Sequence, residues 1–198
     1  MQNVSKHLEI LRQGLLILLL VLVIPLFSYF LMLNFIPLST EQEQVMLFLQ
    51  QRRDSLEGFS LLEISHLQDV TIVMQKVETL FVVSLLLFVI LWFDTTQQLR
   101  STVLFGAGLI ASGLLLFISV GILLWFDVVF RYFHLLFFPQ GNWMFAADSL
   151  LIKTFPENFF VNLSLWIFGL ALVLGIALMV IGLIWKRNHS IFIEKEHS

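Results

Sequence analysis

Four long apolar stretches constrain the fold of this chain more than any other feature. They cover residues 14–36, about 72–93, 102–126 and 159–185. A helix needs about 20 apolar residues to cross the hydrocarbon core of a bilayer. Because only helices and closed barrels cross a bilayer with every backbone hydrogen bond satisfied, the pattern predicts an all-α membrane protein built on a bundle of four transmembrane helices.

The composition supports a membrane protein and argues against several other classes. Apolar residues make up 59% of the 198 residues and charged residues 13%, with a mean hydropathy of +0.93. These values exclude a disordered chain, a nucleic-acid-binding protein and an ordinary cytosolic enzyme. The sequence has no cysteine, which excludes disulfides, thiolate metal sites and cysteine nucleophiles.

The distribution of basic residues predicts the orientation in the cell membrane. With four spans, both termini lie on one side, where six Lys and Arg residues flank the span ends; the other five are scattered through two long connections, 37–71 and 127–158. The positive-inside rule gives most weight to short flanks near span ends. We therefore predict cytoplasmic termini and a small extracellular helical cap, formed by the two long connections, on a single membrane domain of residues 1–198.

Three sequence patterns predict helix starts in the outer connections. They are Thr40–Glu43, Ser60–Glu63 and Thr154–Glu157, each a Ser or Thr followed three residues later by Glu, as in a capping box. The first predicts a short helix that ends at Gly58. The second predicts a helix that runs straight into the second span, and the third, with Pro156 in the first turn, opens the fourth span.

The second outer connection is rich in aromatic residues. Eight of the twenty residues from Phe126 to Phe145 are aromatic, against 14% for the whole chain. A membrane-interface belt explains about one or two rings at each helix end. The surplus predicts an aromatic pocket, and its candidate lining residues are Phe133, Phe137, Phe138 and Trp143.

Two of the five histidines occupy positions suited to chemistry. His66 and His134 each lie in an outer segment just beyond a span, among apolar or aromatic residues, whereas His7, His189 and His197 lie at polar ends. Histidine titrates near neutral pH and is the most common general acid or base. Position alone is also compatible with two unrelated histidines at the membrane interface.

Other kinds of site have weaker support. Zinc could bind both outer histidines with Asp69 and Asp148, but no two histidines have the i, i+3 or i+4 spacing of a helical metal site. Ser60 or Ser65 could act as a nucleophile, but neither lies in a nucleophile-elbow motif. Ionisable residues are nearly absent from the spans, which argues against an ion pump.

Two segments resemble the bacterial lipoprotein intramolecular transacylase family. They are Glu63-Ile-Ser-His66-Leu-Gln-Asp69-Val70 and Phe133-His134-Leu-Leu-Phe-Phe138, the latter continuing through Trp143, Asp148 and Pro156. The resemblance also covers the four spans and both outer connections, in the same order. It implies a four-helix membrane bundle with an extracellular cap, and it implies that His66 and His134 are the catalytic pair.

The resemblance further implies an acyltransferase that modifies lipoproteins. Its expected substrate is a lipoprotein whose N-terminal cysteine carries a thioether-linked diacylglyceryl group. The sn-2 acyl chain moves to the α-amino group of the same cysteine, which gives the lyso-form lipoprotein. Because amine and ester share one molecule, we expect no enzyme nucleophile and no cofactor. The expected partners are this lipoprotein and membrane lipid.

For this reaction we expect His66 and His134 to converge on one cavity lined by the candidate aromatic residues. A base must deprotonate the amine and an acid must protonate the departing sn-2 oxygen. Asp69 could fix the tautomer of His66, because residues three apart are neighbours on a helix surface, or it could form a plain surface pair.

The remaining candidate substrate-binding residues have less specific roles. Arg131, Asn142 or Trp143 could stabilise the oxyanion, and Asp148 lies in the matching segment. The alternative to an enzyme is a non-enzymatic four-span accessory or transport protein with an extracellular aromatic pocket. That alternative predicts that both outer histidines can be replaced without loss of activity.

Overall fold

The computed structural model describes residues 2–93 and 95–196, so that His197 lies outside the described part. All regular secondary structure in that part is helical: α1 Gln2–Phe35, α2 Thr40–Leu49, α3 Leu61–Phe93, α4 Gln97–Phe137, α5 Leu150–Thr154 and α6 Glu157–Glu196. Within the described residues, four helices, α1, α3, α4 and α6, are long and apolar enough to cross a membrane. The predicted class, an all-α multi-pass membrane protein with four spanning helices, is confirmed.

Each predicted span coincides with one long helix, although α1 ends at Phe35, one residue before the predicted end of the first span. As the Ser60–Glu63 pattern predicted, α3 runs without a break from Leu61 to Phe93. The backbone of α4 departs from helical geometry at Trp125, with φ −143° and ψ 45°, one residue before the end of the predicted third span. This kink sets the direction of the segment 126–137, which carries His134.

The predicted capping box of α2 is wrong by one residue. Ser39 caps this helix: its hydroxyl accepts from the Gln42 backbone N–H at 3.3 Å, and the Gln42 side chain accepts from the Ser39 backbone N–H at 3.0 Å. A Ser-x-x-Gln pattern satisfies the same two backbone donors as Thr40–Glu43, and it lets the helix begin one residue earlier. The helix also ends at Leu49 rather than at Gly58, because Gln51 reverses the chain with a φ of 58°.

The prediction that Thr154 caps α6 is also wrong. Thr154 is the last residue of α5, and its hydroxyl donates to the carbonyl of Leu150 at 2.8 Å. The short helix α5, capped by Ser149, was not predicted and occupies the residues assigned to the cap. Because Pro156 has no N–H to continue α5, α6 begins afresh at Glu157.

One compact unit contains the described parts of residues 1–30, 80–118 and 167–198. Most of its buried core comes from α1 and α4, with Leu16, Leu20, Ile24, Leu99, Val103, Leu104, Ala107, Ala111 and Leu115. Backbones approach closely here, since a Cβ atom at Gly108 would lie 2.5 Å from the carbonyl oxygen of Gly175. Small residues on α4 and α6 allow this close approach.

The second compact unit contains residues 31–79 and 119–166. It has a core of its own, formed by Val45, Leu49, Leu56, Leu67, Leu151 and Phe155. Glu63 joins α3 to α5: its Oε2 accepts from the Ser60 N–H and hydroxyl, both at 2.7 Å, and its Oε1 accepts from the Leu151 N–H at 2.8 Å. The predicted Ser60–Glu63 capping box is confirmed, and it fixes the helical turn that precedes His66.

Candidate active site

His66 of α3 and His134 of α4 lie side by side in the second unit. Their ring centroids are 6.0 Å apart, and the ring planes are inclined by 29°. Both side chains are buried, with 6% and 9% of their surface exposed. At this separation, one small reacting group can lie within hydrogen-bond reach of both rings. The structure therefore brings together the two histidines expected to converge.

Aromatic rings surround both imidazoles. Phe138, which is 2% exposed, contacts both histidines, with centroid distances of 4.8 Å to His66 and 5.5 Å to His134. Trp143 and Phe133 contact His134 at 4.9 and 5.5 Å. Three of the four predicted pocket residues thus touch a histidine directly.

Two ring contacts were not singled out from the sequence. Phe130 has its centroid 4.0 Å from that of His134, and Phe145 has its centroid 5.7 Å from that of His66. Phe130 precedes His134 by one helical turn, and this i, i+4 spacing could have identified it. Phe145 lies in an irregular segment, where no periodicity predicts which way a side chain points. We call Phe130, Phe133, Phe138, Trp143 and Phe145 the aromatic shell.

A backbone carbonyl determines the tautomer of His134. Its Nδ1 lies 2.8 Å from the carbonyl oxygen of Phe130. Because a carbonyl oxygen only accepts, Nδ1 must carry the hydrogen and donate it. In the neutral ring, Nε2 is then the nitrogen that can accept a proton.

Asp69 binds a neighbouring loop rather than His66. Its Oδ2 accepts from the side-chain amides of Asn142 at 2.6 Å and Gln140 at 2.8 Å. No hydrogen bond in the described part of the chain joins Asp69 to His66. The carboxylate therefore fastens the turn 139–143 to α3, and any effect on His66 acts through space.

The other predicted residues lie further from the histidines. Phe137 packs on Phe133, with centroids 4.7 Å apart. Arg131 and Asp148 are exposed, and among the described residues no hydrogen bond or ring contact joins either one to His66 or His134. Within the same described ranges, no group of three or more His, Cys, Asp or Glu side chains could hold a metal ion.

Three buried polar atoms belong to residues of this site and lack hydrogen-bond partners among the described residues. They are Nδ1 of His66, Oδ1 of Asn142 and Nε1 of Trp143. A buried polar group without a partner costs about 1–3 kcal/mol, and native proteins leave few of them. Two of these atoms belong to the adjacent residues Asn142 and Trp143 and the third to His66, so all three are candidates for binding a polar group of a substrate.

Comparison with known proteins identifies relatives. The family model described as "Lipoprotein intramolecular transacylase Lit" matches residues 31–160. An uncharacterized protein of Aquifex aeolicus (strain VF5) is 26% identical over 136 residues, which are 68% of this chain and 61% of that protein. The matched part is thus less than two thirds of that relative's length.

Two solved structures share the fold. The membrane integral lipoprotein intramolecular transacylase Lit from Bacillus cereus superimposes with a TM-score of 0.80 at 15% identity, covering 94% of this chain and 99% of that one. A variant of that protein, with one histidine mutated to arginine, gives a TM-score of 0.75 at 15% identity, covering 96% of this chain and 97% of the variant. The family inferred from the two histidine motifs is confirmed. Because the family model matches more than half of the residues of this chain, the chain belongs to the lipoprotein intramolecular transacylase Lit family.

Proposed function

We propose that this protein is an acyltransferase that moves an acyl chain within a single lipoprotein molecule. The substrate carries a diacylglyceryl group on the sulfur of its N-terminal cysteine. The sn-2 acyl chain is transferred to the α-amino group of that cysteine, which gives the lyso-form lipoprotein. The observation that carries this proposal is the pair of buried imidazoles, 6.0 Å apart within the aromatic shell, in a chain of the transacylase family.

The reaction replaces one acyl–oxygen bond with one acyl–nitrogen bond. The amine nitrogen attacks the sn-2 ester carbonyl, a C–N bond forms, and the C–O bond to the glycerol breaks. The amine loses one proton and the sn-2 oxygen gains one, so the atoms balance without water or a second substrate. The enzyme therefore has to move protons and to orient the two groups.

His134 is the general base in this proposal. Its Nδ1–H is held by the Phe130 carbonyl at 2.8 Å, so Nε2 of the neutral ring accepts the proton of the attacking amine. His66 is then the general acid that protonates the departing sn-2 oxygen. Acid and base catalysis of this kind contribute about 10²–10⁴-fold each.

Trp143 is the best-placed of the three oxyanion candidates. Its ring contacts His134 at 4.9 Å, and its Nε1–H is buried without a partner in the described residues. Arg131 is exposed, and the amide N–H₂ of Asn142 is already bound to Asp69. An indole N–H that is fixed before the reaction can stabilise the negative charge that develops on the ester oxygen.

The aromatic shell supplies the geometric part of catalysis. Amine and ester must meet through a medium-sized ring, which a flexible lipid headgroup rarely adopts in water. Holding both groups in a reactive arrangement lowers the barrier by about 7–11 kcal/mol in favourable intramolecular reactions. The same rings keep water, the competing nucleophile, away from the ester.

The proposed active site faces the outside of the cell, and both termini lie in the cytoplasm. Two basic residues support this orientation. Arg12 donates to the carbonyl of Leu91 at 2.6 Å, and Arg100 donates to those of Trp92 and Phe93 at 3.4 Å. These carbonyls lie in the last turn of α3, the helix whose opposite end carries His66. The basic end is the one that the positive-inside rule assigns to the cytoplasm.

Mass spectrometry tests the proposed reaction directly. N-terminal lipopeptides are isolated from cells with and without this protein, and from cells that carry the His66→Ala or His134→Ala variant. We expect N-acylated peptides with one acyl chain left on the glycerol only with the wild-type protein. If wild-type cells contain only the diacylglyceryl form, the proposed function is wrong, and a non-enzymatic accessory or transport role replaces it.

A further inference from the structure

The turn after α4 is fastened to α3 through one carboxylate oxygen. Oδ2 of Asp69 accepts from Asn142 Nδ2 at 2.6 Å and from Gln140 Nε2 at 2.8 Å. Between these two amides lies Gly141, whose φ of +80° favours glycine and lets both side chains return to the same acceptor. This arrangement ties Asn142 to the helix that carries His66.

The carboxylate also determines which way the Asn142 amide is turned. An ionised carboxylate only accepts hydrogen bonds, so the N–H₂ group of Asn142 must face Asp69. The carbonyl oxygen Oδ1 then lies on the other side of the amide. This oxygen is buried, and no described residue donates to it. Asn142 thus holds a buried acceptor at a fixed position.

Asn142 lies next to residues that adjoin or contact the two histidines. Its Nδ2 lies 3.5 Å from Oγ of Ser65, the residue before His66. The next residue in the chain, Trp143, packs its ring 4.9 Å from that of His134. The free oxygen therefore belongs to a residue that contacts α3 beside His66 and precedes, in the chain, the residue that packs on His134.

The chemistry of the reacting groups determines what this oxygen can bind. An acceptor needs a donor, and the ester oxygens of the diacylglyceryl group only accept. The α-amine is the donor among the groups that react. The free amine that attacks has two N–H bonds, and only one of them gives its proton to the base, so the other stays available to an acceptor.

We propose that Oδ1 of Asn142 binds the α-amine of the substrate's N-terminal cysteine, and that Asp69 is the positioning residue that holds the amide in this orientation. The assignment rests on the proposed function. Asn142 then fixes the free amine so that its lone pair points at the sn-2 carbonyl while His134 takes its proton. This role differs from the oxyanion stabilisation considered for Asn142 from the sequence, because the N–H₂ group that would serve an oxyanion is bound to Asp69.

A binding experiment with two unreactive lipopeptides tests the assignment. Both carry an S-glyceryl group with an ether-linked chain at sn-2 in place of the ester. One has the free α-amine, and the other has a hydrogen in its place. The purified full-length protein in detergent should bind the amine lipopeptide about tenfold more tightly, the effect expected for one hydrogen bond to a charged group.

Asn142→Ala should abolish this preference for the amine, and Gln140→Ala is its matched control. Gln140 binds the same carboxylate oxygen from the same turn but is exposed and offers no buried acceptor. Gln140→Ala should therefore keep the preference. Equal loss in both variants would show that Asn142 only ties the turn to α3, and an unchanged preference in Asn142→Ala would also overturn the assignment.

A second variant keeps the test decisive if Asn142→Ala does not fold. Asp69→Asn retains an oxygen that can accept from Asn142, so the hydrogen bond that holds the turn to α3 is kept. It removes the charge that forces the amide orientation, and we expect the preference for the amine to fall at least threefold with an unchanged unfolding temperature. Full retention would overturn the role of Asp69. Conversion of the ester substrate by the wild-type protein is measured in parallel, since its absence alone would refute the proposed function.

Discussion

Nδ1 of His134 donates a hydrogen bond to the carbonyl oxygen of Phe130, four residues earlier in the same helix, at 2.8 Å. This bond holds the ring in one tautomer and leaves Nε2 as its proton acceptor. His66 has no such backbone bond at its Nδ1 among the described residues. The two imidazoles are therefore not equivalent, and this difference underlies the proposed division into base and acid.

Replacement of either histidine should abolish acyl transfer while the protein remains folded. His66→Ala and His134→Ala should each lower the rate of lyso-form production at least about 100-fold. Without the base the amine keeps its proton, and without the acid the departing sn-2 oxygen cannot gain one. The double variant should be little slower than either single one, as for groups that act as a unit. The rate is measured by mass spectrometry of a diacylglyceryl lipopeptide incubated with purified protein.

His7→Ala is the matched control for the histidine variants. His7 lies on α1 and is exposed, and this variant should retain the wild-type rate. Wild-type activity in either His66→Ala or His134→Ala would exclude that residue from the chemistry and favour the non-enzymatic alternative.

Removal of the indole N–H should slow the reaction without opening the aromatic shell. Trp143→Phe keeps a ring against His134 but lacks Nε1–H. We expect a rate about 10²–10³-fold lower, the usual effect of losing one oxyanion donor, with little change in substrate affinity. Trp166→Phe, at a position that is 69% exposed, serves as the control and should be fully active. If the Trp143→Phe enzyme is as fast as the wild type, the indole N–H does not stabilise the oxyanion.

Glu63 should contribute to stability rather than to catalysis. It is 3% exposed, and it accepts hydrogen bonds from the first turns of both α3 and α5. Glu63→Ala leaves these backbone donors without partners and should lower the free energy of unfolding by about 2–3 kcal/mol. Thermal unfolding in detergent measures the change. Glu57→Ala, at an exposed loop position, should unfold like the wild type, and equal stability of the two variants would contradict the prediction.

The orientation in the membrane can be tested with single cysteines, because the natural chain has none. Ala146→Cys, at an exposed position near the site, should react in intact cells with a maleimide that does not cross membranes. Lys186→Cys should react only after the cells are lysed. The reverse labelling pattern would place the proposed active site in the cytoplasm.

The spans and the histidine pair could be predicted from the sequence, whereas most contacts between distant segments could not. Hydrophobic length alone indicates the four long helices, and two motifs in the outer connections indicate His66 and His134. Asp69 shows the limit: its helical spacing suggested His66 as a partner, but its hydrogen bonds go to Asn142, 73 residues away. No local pattern encodes that pairing, because it depends on how the turn at Gly141 folds back onto α3.

Direct transfer to the amine predicts that no serine carries the acyl chain. Ser60→Ala should keep its activity and lose about 1 kcal/mol of stability, since the Ser60 hydroxyl caps α3 and is bound to Glu63 at 2.7 Å. Ser65→Ala should retain at least half of the wild-type rate, although Ser65 adjoins His66 in the chain. Mass spectrometry of the intact protein during turnover should detect no acylated form. An inactive Ser65→Ala protein together with an active His134→Ala protein would contradict direct transfer and favour a serine acyl-enzyme. In that mechanism His66 would activate the Ser65 hydroxyl instead of protonating the leaving group.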